Sequence, residues 1–424
     1  MFRKGIPMRK YMVVFLLLAI LFTAACSKTG VADATQVASE TAGDSEAAEA
    51  TVAPFTSADE SCKPYNLIDD LLLQPVDANV PAVTDADFIE GPADAKYTIT
   101  VYSNFTCSHC ANLEPILAQL QTLFSNTVRI VFRYVTTGGN SNVAAQAVEA
   151  ANIQGKFQEM KNVLFENQAT WYSYSEDDFR DWLGEQAASF GMDVDQFDTD
   201  IDSETTLNKV TENRTGVDEL GIYGTPTIYV NNRQYTQTRS VATFAIMLDV
   251  MDISDQLLGD CPIISTDFTK DLQAVISTSK GDIVVDLYED EAPNTVAYFQ
   301  YLAEKGWYNN NNIIISTAEY SISGDPSNTL YGGPGFAYFN ELATDQTLNE
   351  EGLLVSFNQL GTGYNTGIFM LTKSAVTDFT GEISIFGKVI EGMDVLNAFT
   401  DRPYSLDPAE PFYDSITSIT IFEK

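Results

Sequence analysis

Positive charge and histidine are both scarce in this sequence. Its 424 residues hold 23 Lys and Arg against 59 Asp and Glu, with one His. A formal charge of −36 argues against nucleic acid as a partner, since phosphate backbones are held by an excess of cations. It equally disfavours contact between the protein surface and anionic lipid headgroups. A lone His leaves no room for Ser-His-Asp chemistry beside any other use of that residue. The five Cys contain a single C-x-x-C pair, so no Cys/His set has the spacing of a zinc site. No metal or cofactor is expected. After residue 25 no apolar run is long enough to cross a bilayer. A hydrophobic content of 45% with 11% aromatics is ordinary for globular protein, and the length implies two domains with tails.

The first residues read as an export signal. Arg3, Lys4, Arg9 and Lys10 precede the apolar run from Tyr11 to Ala25. The run ends at Leu21-Phe22-Thr23-Ala24-Ala25-Cys26, which resembles a bacterial lipobox with Thr23 where Leu is usual. Residues 1–26 are therefore expected to be a lipoprotein signal ending at a lipidated Cys26, with plain secretion or an uncleaved anchor as alternatives. Residues 27–62 are rich in Ala, Thr, Ser, Asp and Glu and nearly free of large apolar side chains. Such a stretch buries too little surface to offset its ordering entropy, so an acidic, disordered tether is expected. The localisation implied is extracytoplasmic, anchored to a bacterial cell membrane by the N-terminal lipid.

Export places the remaining cysteines where disulfides persist. Cys107 and Cys110 form the C-x-x-C pair. Cys62 and Cys261 remain, flanking the segment assigned below to the first domain. A bridge between them closes a long loop, a stabilisation of about 4–5 kcal/mol in the chain-entropy model. A second redox pair is the alternative.

The first domain is expected over residues 63–262. Tyr97 to Tyr102 is β-branched and aromatic and reads as a strand. Cys107-Ser108-His109-Cys110 follows, then Ala111 to Leu120 with helical apolar spacing, then a second strand from Val128 to Tyr134. Both cysteines thus fall at a helix N-terminus, where unpaired N–H groups and the positive end of the dipole favour a thiolate. Cys107, at the outer end, is the expected nucleophile, with a pKa in such motifs of roughly 3.5–7.5. Cys110, a turn inward, is expected to resolve the mixed disulfide. The imidazolium of His109 is expected to stabilise the thiolate further.

Gly91 to Lys96, Phe105, the Cys107–Cys110 motif and Val131-Phe132-Arg133 resemble the DsbA-like family of thioredoxin-fold oxidoreductases. Downstream, Ala144 to Ala151 and Gly155 to Gln168 are similar to that family's inserted helical subdomain, and Gly221 to Thr227 to its cis-proline loop. The resemblance implies an α/β thioredoxin-like fold with a helical insert. It further implies that Ser108, Thr225 and Pro226 receive the substrate chain, and that an oxidant of this kind is renewed by a membrane quinone-linked reoxidant. Ser108 stands where many members carry Pro. Because the middle dipeptide tunes the redox potential, the direction of exchange stays open.

From residue 268 to 424 the pattern turns β-rich. Leu272 to Thr278 and Gly281 to Tyr288 flank a hairpin signal at Ser279-Lys280, and Ala292 to Phe299 opens an amphipathic helix. With Ser323-Gly324-Asp325-Pro326, Gly332 to Gly335 and Phe386 to Val395, this segment resembles the cyclophilin fold, which implies an all-β closed barrel with capping helices. Where that family's active-site residues fall, this sequence has Ile314, Ile322, Ile368, Met370, Asp378 and Ile383. No Arg lies between Asn309 and Asp325, and the segment has no His. Without a guanidinium to polarise the prolyl amide, isomerase activity is not expected. Phe369 and Met370 could line an apolar groove for unfolded chain or be simple core.

The leading expectation is an extracytoplasmic thiol–disulfide oxidoreductase acting on thiols of exported proteins, with the barrel helping to bind clients. The alternatives are a disulfide isomerase or reductase using the same pair, a non-catalytic chaperone-like lipoprotein, and a weak peptidyl-prolyl cis-trans isomerase.

Overall fold

The computed structural model describes residues 61–264, 270–341, 347–357, 363–377, 383–405 and 410–424. The expected export signal, Cys26, nearly all of the tether and Asp378 lie outside the described residues. No helix among the described residues is long and apolar enough to cross a membrane.

The described residues begin with the three-residue strand β1 (Cys62–Pro64), then β2 (Leu73–Val76) and β3 (Phe88–Glu90). Strand β4 (Tyr97–Ser103) leads into helix α1 (Ser108–Leu123) and strand β5 (Val128–Tyr134). Six helices follow: α2 (Asn140–Ile153), α3 (Phe157–Glu166), α4 (Gln168–Trp171), α5 (Glu176–Ser189), α6 (Val194–Ile201) and α7 (Glu204–Glu219). Strands β6 (Thr227–Val230) and β7 (Arg233–Tyr235) and helix α8 (Val241–Asp252) complete the first domain. Its sheet runs β2-β7-β6-β4-β5-β3, with β4 and β5 parallel and joined through α1.

That crossover forms because both strands are apolar on both faces, as a covered parallel sheet requires. Ile99, Val101, Ile130 and Val131 are at most 2% exposed. α1 lays Leu113, Leu117 and Leu120 on one face of the sheet, and α8 adds Phe244, Met247 and Leu248 to the same core. Gly91 enters β4 at φ +106°, where a Cβ would lie 2.6 Å from the carbonyl oxygen of Val128; a side chain there would break the turn. α2 is buried nearly all round, and its alanines at 144, 145, 147, 150 and 151 let neighbouring helices approach.

The second domain is a nine-stranded antiparallel sheet. Its strands are β8 (Leu272–Thr278), β9 (Gly281–Leu287), β10 (Asn311–Asn312), β11 (Ile315–Ser316), β12 (Tyr320–Ser323), β14 (Leu353–Phe357), β16 (Phe369–Thr372), β17 (Ile383–Glu391) and β18 (Ser415–Glu423). The order is β10-β18-β8-β9-β17-β14-β16-β12-β11. β10 and β11 are separated only by Ile313 and Ile314, whose N–H groups donate to Asp414 O and Ile322 O at 2.9 Å each. This one stretch therefore joins the two edges of a sheet that curls round in the all-β, cyclophilin-like way expected from sequence. Helix α9 (Pro293–Glu304), with Pro at its first position, sets Val296, Phe299 and Leu302 against the sheet; the short α10 (Met393–Asn397) adds Leu396.

The two domains are stitched together. β1 pairs antiparallel with β13 (Phe336–Phe339), which also pairs with β15 (Tyr364–Asn365). Tyr65 N donates to Gly335 O at 3.0 Å, and Leu258 N to Pro334 O at 2.8 Å. Gly335, at φ +101°, lets a second backbone pass; a Cβ there would sit 2.6 Å from Gly259 O. Cys62 and Cys261, 199 residues apart, are joined in a disulfide at this seam. Ser61 and Cys62, placed by sequence at the end of the tether, are instead 7% and 4% exposed, and Cys62 belongs to the second domain's core.

Candidate functional site: a thiol pair at a helix N-terminus

Strand β4 stops at Ser103, and the chain turns through Asn104-Phe105-Thr106 before α1 begins. Two anchors fix that turn. Phe105 is 1% exposed and packs on Phe132 and Phe165. The side-chain oxygen of Asn104 accepts from Thr106 N and Thr106 Oγ1, both at 2.8 Å, and from Ser141 Oγ at 3.0 Å. Cys107 is then the N-cap of α1, half-buried, and Cys110 faces inward with no exposure.

Both are present as thiols, and their surroundings differ. Burial alone would raise the Cys107 thiol, but the Thr225 side chain, the N–H and sulfur of Cys110 and the N–H of His109 favour its thiolate and hold it below the usual value. Cys107 Sγ donates to Thr225 O at 3.2 Å in the thiol form. Cys110 is pushed up to about 12, chiefly by burial, while the Asn104 N–H and the nearby Ser103 side chain act in the opposite direction. Asn104 N donates to its sulfur at 3.4 Å. The outer sulfur is thus the one that ionises first.

The peptide bond Thr225–Pro226 is cis. It is held by Thr227 Oγ1 donating to Gly224 O at 2.7 Å and by Arg239 donating to Pro226 O at 3.0 Å. Thr225 is partly exposed beside Cys107 and Pro226 is buried; Ser108 and His109 are exposed. The structure therefore brings Cys107, Cys110, Ser108, Thr225 and Pro226 to one place. His109 contributes through its backbone N–H, while its imidazole makes no hydrogen bond among the described residues.

The second domain's corresponding positions have a different character. Ile314, Ile368 and Met370 have no exposure, Ile322 and Ile383 have 3%, and all five lie in one apolar cluster with Leu353 and Val355. Ile322 sits directly opposite Met370 across β12 and β16. Phe369 is 2% exposed. The apolar groove considered from sequence is packed core. Arg402, 3% exposed, is the guanidinium near this pole. It donates to Ile314 O and, at 3.2 Å, to Pro411 O, and lies 4.0 Å above the Phe412 ring.

Comparison with known proteins divides the chain at the same seam. Residues 84–250 match the family model described as thioredoxin, and residues 273–421 match cyclophilin type peptidyl-prolyl cis-trans isomerase/CLD. The chain joins a thioredoxin-like domain to a cyclophilin-type domain. It is 33% identical over 163 residues to the Na(+)/H(+) antiporter NhaA 1 of Salinispora arenicola, a match covering 38% of this chain and 24% of that protein. It thus spans about a quarter of the length of such curated relatives. Among solved structures, Wolbachia pipientis alpha-DsbA1 is similar at 18% identity and TM-score 0.37, over 39% of this chain and 91% of that one. A Cryptosporidium parvum cyclophilin type peptidyl-prolyl cis-trans isomerase is similar at 24% identity and TM-score 0.32, over 36% and 99%.

Sequence reasoning assigned no role to Ser103 and Asn104 of the thioredoxin domain. Asn in the turn between a strand and a helix is a signal for a side chain that bonds the backbone two residues on, and Asn104 does so to Thr106 N. Arg402 of the cyclophilin-type domain was also missed, because 88 residues separate it from Ile314.

Proposed function

We propose that this chain is an extracytoplasmic protein thiol–disulfide oxidoreductase, acting on exported proteins through Cys107 and Cys110. The observation that carries the reading is the inequality of the two sulfurs, one partly exposed and held towards the thiolate, the other fully buried and pushed up to about 12. Such a pair has a defined order of events. With the pair oxidised, a client thiolate attacks Cys107 Sγ, and Cys110 departs with the electron pair of the broken bond. A second client thiolate then attacks the client sulfur of the mixed disulfide, and Cys107 leaves as a thiolate. The client loses two electrons and the pair gains them. Thr225 and Pro226 receive the client chain beside Cys107, and a membrane quinone-linked reoxidant renews the pair. Cys26 anchors the chain by lipid. The cyclophilin-type domain holds clients without isomerising prolyl bonds, a reading supported by its filled pole and by the engagement of Arg402.

Equilibrating the full chain with glutathione buffers tests this. The Cys107–Cys110 couple should exchange, and Cys107→Ser should lower the rate by at least about a thousandfold. A potential near about −120 mV supports donation of disulfides and one near about −270 mV supports reduction. A pair that exchanges with no thiol sinks the reading.

A further inference from the structure

Cys110 must carry a negative charge at one moment of every exchange, yet it lies where charge is most costly. When the Cys107–Cys110 bond breaks, the electron pair goes to Cys110 Sγ; in the reverse direction Cys110 must ionise before it attacks. A leaving thiolate in a buried site needs hydrogen-bond donors already in place. One is the Asn104 N–H, 3.4 Å from the sulfur. It is fixed by the turn that the Asn104 side chain ties.

The second lies at the end of β4. Ser103 is 1% exposed, and its Oγ is a buried hydroxyl with no hydrogen-bond partner among the described residues. Buried polar atoms in native folds are nearly always paired, so an unpaired one on the residue just before the N–H that reaches the Cys110 sulfur calls for an explanation. Its backbone is rigid. Ser103 is in register with Tyr134 in the parallel ladder, and Ser103 O accepts from Val135 N at 2.7 Å. Only rotation about the Cα–Cβ bond is left to aim the hydroxyl. Ser103 acts on Cys110 in the direction that favours its thiolate, alongside Asn104 and Thr225 and against burial and the neighbouring Cys107.

We infer that Ser103 is the hydroxyl donor that receives the Cys110 thiolate during exchange, idle in the dithiol form and engaged when the charge arrives. This rests on the oxidoreductase reading, and it specifies which atom of the fold stabilises the leaving sulfur. The assignment holds for either direction of electron flow, because both pass through the same thiolate.

The test uses the full chain with Ser103→Ala and Ser103→Thr, the second keeping the hydroxyl. Reduction of the Cys107–Cys110 disulfide by reduced glutathione should slow about tenfold in the Ala variant, the usual effect of losing a hydrogen bond to a charged group. It should stay near the parent rate in the Thr variant. Alkylation of reduced Cys107 by iodoacetamide should match the parent in both. A separate arm needs no redox activity. In a Cys107→Ala background, methyl methanethiosulfonate should modify Cys110 about tenfold more slowly once Ser103 is Ala, in proportion to the lost thiolate. Unchanged Cys110 modification in that background overturns the assignment, as does equal slowing in the Ala and Thr variants. A parent disulfide inert to glutathione overturns the oxidoreductase reading instead, while the Cys110 arm still decides whether Ser103 is the donor.

Discussion

The two domains treat the place where chemistry would occur in opposite ways. In the thioredoxin domain the pole is open: Cys107 is partly exposed, His109 and Ser108 face solvent, and Tyr223 in the cis-proline loop is 95% exposed. In the cyclophilin-type domain the pole is closed by Ile314, Ile322, Ile368, Met370 and Ile383. Burying each such side chain stabilises by about 1.5–3 kcal/mol. The first domain leaves polar atoms near a reacting centre, and the second removes them. A fold's sheet register and core packing do not depend on what fills that pole, so the same scaffold tolerates either character there. What remains in the second domain is a support that grips both ends of the first.

The most direct way to break this comparison is to return a guanidinium to the closed pole. Ile314→Arg places a charge at a position with no exposure, among aliphatic side chains and close to Arg402, which already donates to Ile314 O. The expected cost is about 4 kcal/mol or more, since the cluster around Ile314 holds no carboxylate among the described residues. Urea unfolding should show the loss, and proline-limited refolding of a client should not be accelerated. A variant that folds normally and gains isomerase activity would show that the pole is open after all.

A smaller effect is expected at the seam. Replacing both Cys62 and Cys261 by Ser removes a bridge closing a loop of 199 residues, a loss of about 2–5 kcal/mol. Calorimetry should then resolve two transitions where the parent shows one, because only non-covalent contacts, those of β1, the Gly335 crossing and Ile253 among them, would hold the domains together. Alkylation of Cys107 should be unaffected. A single unshifted transition would mean that the domains are coupled elsewhere.

These elements were unequally legible in the sequence. The strand–Cys-x-x-Cys–helix unit was readable because its period changes from two to about four within twenty residues, and because the chemistry requires sulfurs at that junction. The cis-proline loop was readable through Gly224-Thr225-Pro226-Thr227. The disulfide followed from cysteine arithmetic. The attachment of β1 to the second domain was not readable, since Cys-Lys-Pro carries no strand pattern and is held by its partner Tyr338. The curl of the second sheet depends on which edge strands meet and not on any one strand's residues, so it was readable only through the resemblance of the whole segment to the cyclophilin fold. Ser103 was hidden for another reason: its environment, set by the distant Val135 and Cys110, gives it meaning.

The smallest expected effect links the two domains through charge. Asp249, on α8 and partly buried, is pushed up to about 7 from an ordinary 3.8, first by burial and then by Asp252 and Asp325. Asp252 is shared with Lys96 and Tyr97, while Asp325 is a fully buried residue of the cyclophilin-type domain. Because the folded value is the higher one, the folded state keeps a proton that the unfolded chain has lost between pH 3.8 and about 7. The stabilisation from this group is therefore complete below pH 3.8 and is lost as pH rises through about 7. Asp249→Asn should leave stability near pH 3.5 almost unchanged and raise it near pH 8 by about 1–2 kcal/mol, read from urea midpoints. Part of that gain comes from Asp325, across the seam. It should shrink when Cys62 and Cys261 are both Ser and the domains can separate, and a gain of the same size in both backgrounds would place the cause within the thioredoxin domain alone.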